Sequence, residues 1–434
     1  MNKIMLEKIA IERKGGLRGE ATIPGDKSIS HRAIIIGSLA NGKTSIKGLS
    51  RGDDNIRTIN AFRMMGVEIE ELSGGQLIIN GRGLHSLIEP EDVIDSGNSG
   101  TTVRLLTGLL SGQKFLSIIT GDRSLRKRPM KRVVKPLISM GAKIWGRKKG
   151  DFAPLVVNGT KLRPIDYVSP VASGQVKSAI LFAGLYADGS TKVSEPSISR
   201  DHTERMLSFF GANLKREDYS VTINGGANLE GRDIEIPGDI SSAAFFIVAA
   251  LIIPNSEVFL KRVGINPSRT GILEVLKKMG GDIQVLNEDQ RWGEPVADIL
   301  VKSSHLHGVT IEGDLIPKTI DEFPILSVAA SIAEGKTDIK DALELRVKET
   351  DRIKAMACEL RKFGVEVEEF EDGMRISGRD DLKGCECRSF GDHRVAMSLL
   401  IAGLRASGRT VVEDTSCIRT SFPDFKDRLF SLMH

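Results

Sequence analysis

The segment Phe62–Glu71, FRMMGVEIEE, decides how this chain is read, because its form returns four more times. LISMGAKIWG from Leu137, LSFFGANLKR from Leu207, LKKMGGDIQV from Leu276 and LRKFGVEVEE from Leu360 repeat it. Each reads as the end of an amphipathic helix, then glycine at the C-cap, then a short alternating strand. Gly66, Gly141, Gly211, Gly280 and Gly364 are spaced roughly 70 to 85 residues apart, the period of a repeated supersecondary unit. A sixth copy, FPDFKDRLFSLMH from Phe422, runs to His434.

N-terminal to each copy, a polar glycine-bearing stretch runs into an apolar helix. The six starts are GDKSISHRAIIIGSLA from Gly25, SGNSGTTVRLLTGLL from Ser96, ASGQVKSAILFAGL from Ala172, PGDISSAAFFIVAAL from Pro237, DEFPILSVAASIA from Asp321 and GDHRVAMSLLIAGL from Gly391. One unit therefore reads strand, helix, strand, helix, strand, strand, which makes the class α/β with six βαβαββ repeats. The 434 residues exceed one core, so two lobes of three repeats are expected. TIPGDK at Thr22 and EIPGDI at Glu235 are near-duplicates that mark chain crossings, with hinges near 22–25 and 236–239. The expected lobes are residues 22–236 and residues 1–21 plus 237–434.

Composition narrows the function classes. Hydrophobic content of 40% and charged content of 27% are those of a soluble globular protein. A net charge of +4 and 5% aromatics argue against a nucleic-acid surface built on charge and stacking. The longest apolar run, Phe245 to Pro254, is too short to cross a bilayer, and MNKIMLEKIAIERKGG lacks the apolar core of a signal peptide. Four cysteines (Cys358, Cys385, Cys387 and Cys417) in so long a chain suit a reducing compartment. A cytoplasmic location is expected.

The helix starts carry the chemistry. A helix N-terminus holds partial positive charge, so cations there call for an anion against them. Lys27, Ser28 and Arg32 open the first helix, with Ser28 as N-cap or first-turn residue. Asn98, Ser99, Gly100, Thr101 and Thr102 open the second; Ser173, Gly174, Gln175 and Lys177 open the third. Arg200 and His202 follow in SRDHTER, where Asp201 suits an acid cap. The basic run RSLRKRPMKRVVKP from Arg123 reads by default as a solvated face, but it follows the second anion-type start. Asp321 and Glu322 open the fifth helix, where acids stabilise the dipole. RVKETDR (Arg346–Arg352) sets Lys348, Glu349, Asp351 and Arg352 about a helix start capped by Thr350 or Glu349; acids among cations suit acid–base work. Asp392, His393 and Arg394 open the sixth. A zinc site of Cys385, Cys387 and His393 is disfavoured, since no second cysteine pair exists. Walker A, GxGxxG, HExxH and GxSxG patterns are absent.

PGDKSISHRA, GNSGTTVR, LRKRPM, SGQVKSA, DEFP, VKETDRI, GDHRVAM and SFPDF, in that order, make the chain resemble the 5-enolpyruvylshikimate-3-phosphate synthase family over essentially its whole length. The resemblance implies a two-lobed enolpyruvyl-transferase fold, each lobe three repeats about a pseudo-threefold axis, closing over substrate. It implies transfer of the enolpyruvyl group of phosphoenolpyruvate to the 5-hydroxyl of shikimate 3-phosphate, with release of phosphate, in aromatic amino acid (chorismate) biosynthesis. It implies a monomer acting on small molecules, with no cofactor, metal, membrane or nucleic acid. On this likeness Lys27, Ser28, Arg32, Ser173, Gln175, Arg200, Asp321 and Lys348 hold shikimate 3-phosphate, and Lys27, Gly100, Arg128, Gln175, Arg352 and Arg394 hold phosphoenolpyruvate. Asp321, Glu349 and Lys27 are the implied catalytic groups.

GDKS at Gly25 and RDHTE at Arg200 are similar to the branch called class II, associated with glyphosate tolerance. Ser173-Gly174-Gln175 and Asn266-Pro267-Ser268-Arg269 depart from that branch's SAQ and NxTR, and Gly100 is unsubstituted. Thr420 stands where many members have a lysine, with Arg419 beside it. The sister enzyme acting on UDP-N-acetylglucosamine is the nearest alternative, but it has Lys-Asn in place of Lys27-Ser28 and a mobile-loop cysteine; no cysteine precedes Cys358 here. An RNA-end phosphate cyclase shares a related repeat, and the low charge and few aromatics disfavour it. A non-catalytic anion binder would need no acids within RVKETDR.

Overall fold

The five repeated glycines all have left-handed backbone in the computed structural model, with φ of 83°, 97°, 102°, 94° and 88° in chain order. A side chain at such a position costs about 1–2 kcal/mol, so glycine there ends each helix and turns the chain into the following strand. The structure describes residues 7–12 and 15–433. Residues 1–6, 13, 14 and 434, which belong to the grouping 1–21 plus 237–434, lie outside them.

The chain divides into two compact units. One takes the chain up to Pro24, Pro237–Asp289 and the chain from Pro295 onward; the other takes Gly25–Ile236 and Gln290–Glu294. Each has its own hydrophobic core and three of the six sheets seen among the described residues. The sheets share one plan, in which the first strand lies parallel to the second and the second antiparallel to the closing strand. Ile94–Asp95, Leu116–Thr120 and Phe152–Asn158 illustrate it, with Asp95 opposite Thr120 and Ile119 opposite Leu155.

Two sheets exchange their first strands. Arg18–Thr22 leads through Pro24-Gly25 into the helix Lys27–Leu39 of the second unit, yet pairs in parallel with Glu257–Gly264 in the first. Asp233–Glu235 leads through Pro237-Gly238 into the helix Ile240–Ile252 of the first unit, yet pairs in parallel with Asn41–Lys47 in the second. Gly25 sits where a Cβ would lie 1.8 Å from the Gly48 carbonyl oxygen, so only glycine fits beside that backbone. Among the described residues the sixth repeat has no closing hairpin of its own. Lys8–Ile11 fills the place, antiparallel to Thr410–Glu413, with Ile9 opposite Val412.

Six buried helices follow the polar starts: Lys27–Leu39, Gly100–Leu110, Gly174–Gly184, Ile240–Ile252, Phe323–Ile332 and His393–Arg405. Every residue of Ile240–Ile252 is buried, and Ile29–Leu39 is buried throughout. At about 2 kcal/mol per fully buried large aliphatic side chain, these helices anchor each core. Gly108 lets one pair approach closely, since a Cβ there would lie 2.1 Å from the Ala179 carbonyl oxygen. The starts are sealed by short side chains: Asp26, Ser99, Ser173, Asp239 and Asp392 each accept a backbone N–H in the first turn. Ser28 is therefore a first-turn residue, because Asp26 takes the capping place.

Gly280→Ala is expected to destabilise the protein by about 2 kcal/mol. A Cβ there would combine φ of 94° with a 3.2 Å approach to the His305 carbonyl oxygen. A lower urea midpoint with an unchanged slope would be the reading.

Candidate active site

The second unit gathers the first three helix starts into one polar network. Lys27 Nζ pairs with Asp54 Oδ2 at 2.9 Å, and the Asp54 backbone carbonyl lies 3.4 Å from Thr102 Oγ1, which in turn donates to Ser99 Oγ at 2.7 Å. Gly100 follows, packed so that a Cβ would meet Arg104 Nη1 at 2.9 Å and Arg128 Nη1 at 3.1 Å. Alanine here would push on two guanidinium groups. Arg104 Nη1 donates to Gln175 Oε1 at 2.8 Å, while Gln175 Nε2 donates to Thr101 Oγ1 at 3.0 Å. Gly174 in turn lies against Arg200, 3.2 Å from its Cβ to a Cβ built on the glycine.

Arg32 is 3% exposed, and three of its hydrogen bonds go to neutral oxygens. Nε donates to Thr203 Oγ1 at 2.6 Å, Nη1 to the Ser28 carbonyl at 2.9 Å and Nη2 to Ser178 Oγ at 2.8 Å. Among the cations of the basic run from Arg123, Arg128 alone is buried, with Nη2 donating to Asn98 Oδ1; Arg123, Arg126, Lys127, Lys131 and Lys135 are exposed. The solvated reading thus describes most of that run, and Arg128 is the part that joins the site.

Lys177 does not serve this cluster as an anion-binding cation. Its ammonium is buried between Glu195 and Glu204, 2.8 Å from each. Burial lowers its pKa, but Glu204 and Glu195 outweigh burial and raise it overall, so its charge is spent within the protein. Asp201 stands at the N-cap position without capping. Its carboxylate instead takes Arg205 Nε at 2.8 Å and Arg216 Nη1 at 3.2 Å. Asp201, His202 and Glu294 come near enough to share a cation, and the Arg205 guanidinium already lies against both carboxylates.

In the first unit a single guanidinium organises the site. Arg352 is 1% exposed, and its Nε donates to Asp392 Oδ2 at 2.8 Å, its Nη2 to Glu349 Oε2 at 2.7 Å. Nη1 makes no hydrogen bond among the described residues, although Asp321 Oδ1 lies 3.6 Å away. A buried charged donor in that state is the kind of group that an incoming oxyanion satisfies. Burial works against its charge, but Asp392, Glu349 and Asp321 more than offset this and raise its pKa. Arg394 Nη1 donates to the Asp321 carbonyl at 2.9 Å, and its Nη2 lies 3.6 Å from Asp321 Oδ2. Lys348 is pushed below its ordinary lysine pKa, chiefly by burial and also by Arg352, against the pull of Glu344, Asp321 and Glu349.

Two capping expectations change here. Asp351, rather than Thr350 or Glu349, caps the helix Arg352–Lys362, accepting from Lys354 N at 3.0 Å. Glu349 is thereby left to face Arg352. The fifth helix begins at Phe323, and neither Asp321 nor Glu322 caps it with its side chain. Arg419 lies on the turn Thr415–Thr420 and pairs at the surface with Glu7 at 3.2 Å, apart from the Arg352 cluster.

The profile of the family described as EPSP synthase (3-phosphoshikimate 1-carboxyvinyltransferase) matches residues 11–429. The chain belongs to the EPSP synthase family. It is 61% identical over 409 residues to the 3-phosphoshikimate 1-carboxyvinyltransferase of Geotalea daltonii, covering 94% of this chain and 95% of that protein. The same measure against that of Geobacter sulfurreducens is 59% over 409 residues, covering 94% and 95%. The solved EPSP synthase of Acinetobacter baumannii superposes with a TM-score of 0.88 at 46% identity, covering 98% of each chain. The α/β fold with its six repeats is thus the EPSP synthase fold.

In this EPSP synthase chain, several residues that organise the site were not singled out from sequence. Asp54, Arg104, Glu195 and Thr203 lie in ordinary helical or loop contexts; only Arg104, a lone cation inside an apolar helix, carried a local signal. Glu195 accepts from Ser173 N at 2.8 Å and from Ser199 Oγ, so it sets the third helix start beside Arg200. His31, buried behind Lys27, shares a 2.8 Å hydrogen bond with Thr58 Oγ1, which meets Thr102 Oγ1 at 2.8 Å and so reaches Ser99. Burial, with the Lys27 and Arg32 charges, holds the imidazole well below its ordinary 6.5.

A histidine with a depressed folded-state pKa contributes stability that is present above about pH 6.5 and is lost as pH falls toward the folded value, because the unfolded chain takes the proton first. The acid limb of the stability profile should therefore carry a slope of about 1.4 kcal/mol per pH unit from this one group. His31→Gln is expected to remove that share of the slope in urea unfolding measured from pH 7 to pH 5.

Proposed function

We propose that this chain transfers the enolpyruvyl group of phosphoenolpyruvate to the 5-hydroxyl of shikimate 3-phosphate, giving 5-enolpyruvylshikimate 3-phosphate and phosphate. The observation that carries the reading is Arg352. It is a buried guanidinium with an unbonded Nη1, and Asp321, Glu349 and Lys348 contribute to its electrostatic field. Membership of the EPSP synthase family supports it.

Both substrates are anions, which accounts for cations at helix starts that already carry partial positive charge. In this reading Lys27, Ser28, Arg32, Ser173, Gln175 and Asp321 hold shikimate 3-phosphate, with Arg200 and Lys348 assisting. Arg32 suits a phosphate because its fork is pre-oriented by Thr203, Ser178 and the Ser28 carbonyl. Lys27, Gly100, Arg128, Gln175, Arg352 and Arg394 hold phosphoenolpyruvate.

Chemistry follows from charge. A proton added to the methylene carbon of phosphoenolpyruvate makes the neighbouring carbon electrophilic. The 5-hydroxyl oxygen bonds to that carbon as its proton passes to a base, and a tetrahedral intermediate results. The bond to the phosphate oxygen then breaks, phosphate departs, and the methyl group returns its proton. Asp321 orients or deprotonates the hydroxyl, while Glu349 and Lys27 move the proton to and from the methylene carbon. Arg128, Arg352 and Arg394 stabilise charge on the departing phosphate. The reaction belongs to a biosynthetic pathway, and the cytoplasm is the proposed location.

Phosphate release from phosphoenolpyruvate, measured with and without shikimate 3-phosphate, tests the reading: release should depend on the second substrate. Independence would overturn it. Glu349→Gln is expected to keep substrate affinity within a few-fold and to lower kcat by about 100-fold or more. Near-normal turnover would take Glu349 out of proton transfer.

A further inference from the structure

Cys385 and Cys387 flank Glu386 at the start of the strand Glu386–Arg388, and their sulfur atoms lie 3.4 Å apart. Alternation along the strand puts both on one face, with Cys387 buried and Cys385 partly exposed. We propose that these two thiols form a reversible redox pair, closing to a disulfide under a peroxide and reopening with a thiol reductant.

The geometry allows closure but resists it. Two residues along a strand set their Cα atoms about 6.6 Å apart, near the upper limit of about 6.8 Å for a disulfide and beyond its usual 5.5–6 Å. Bridging therefore draws the strand in by roughly 1 Å, and a bridge under that tension is one that reductants open readily. The chemistry has a direction. Cys385 is partly exposed and so meets the peroxide, while Cys387 is buried behind it and resolves the product. The Cys385 thiolate attacks a peroxide oxygen, an S–O bond forms as O–O breaks, and the hydroxide released takes a proton to become water. Cys387 sulfur then attacks the sulfenic sulfur, S–S forms as S–O breaks, and the leaving hydroxide takes the Cys387 proton as a second water. Two electrons leave the dithiol and reduce the peroxide.

The strand is tied at two points to the Arg352 cluster. Its Arg388 N–H donates to Glu359 Oε2 at 3.1 Å and its Glu386 carbonyl accepts from Lys362 Nζ at 3.3 Å, both on the helix that Arg352 begins. Beyond the strand, the Ser389 carbonyl accepts from Asp392 N at 3.0 Å, and Asp392 holds Arg352 Nε. Drawing the strand in therefore moves the carboxylate and the helix that orient Arg352. This consequence rests on the proposed function, whereas the redox pair does not.

The intact protein is treated with hydrogen peroxide, alkylated and mapped by peptide mass. The peptide holding Cys385 and Cys387 should lose about 2 Da, resist alkylation and recover with dithiothreitol. In Cys387→Ser, Cys385 should instead be trapped by dimedone as the sulfenic acid. Both thiols remaining alkylatable while the exposed Cys358 oxidises would overturn the pair. Oxidation should also lower kcat/KM for phosphoenolpyruvate by about threefold or more, reversibly, in the wild type but not in Cys385→Ser. A closed disulfide with unchanged kcat/KM would overturn the link to Arg352 and leave the redox pair standing.

Discussion

A positive charge buried at the amino end of a helix is the constraint on which the rest of the site depends. Arg352 stands at the first position of its helix with 1% of its surface exposed, where the helix dipole and desolvation both oppose it. Asp392, Glu349 and Asp321 offset that cost, and Asp392 does so while capping a different helix. Removing one partner of such a buried pair typically costs 3–5 kcal/mol, so the sixth helix start and the RVKETDR segment are locked together. What remains on Nη1 is an unmet donor within a field of acids.

The second unit holds a buried guanidinium of its own, Arg32. Arg32 donates to two hydroxyls and a carbonyl, which orient the fork. Lys177 is a second buried cation of that unit, four residues into an equivalent start. Flanked by Glu195 and Glu204, its charge is neutralised and its task is to hold the neighbouring segments in place. The two carboxylates that neutralise Lys177 come from outside its own helix.

Much of the fold was legible because its determinants are local. Glycine at each helix end, alternation in the strand beyond it and a short polar residue before each apolar helix act within a few residues of one another, and the five left-handed glycines carry that pattern into the structure. Finer assignments depended on distance. Asp351 caps where Thr350 or Glu349 had equal local claim, and Asp201 forgoes its capping place because Arg205 and Arg216 take its carboxylate. Asp54 and Glu195 gave no local sign, since their partners Lys27 and Ser173 are 27 and 22 residues away.

The sequence by itself determined the repeat, its glycine ends, the buried helices and the set of cations at their starts, since each rests on backbone preference or hydrophobic period. Tertiary structure alone decided which strand completes which sheet. Arg18–Thr22 and Asp233–Glu235 each precede one helix and pair beside another, and Lys8–Ile11 supplies a strand to the far end of the chain. It also decided which charges are neutralised within the protein, through carboxylates drawn from remote segments. Pairing and neutralisation are relations between distant residues, and only folding sets their distance.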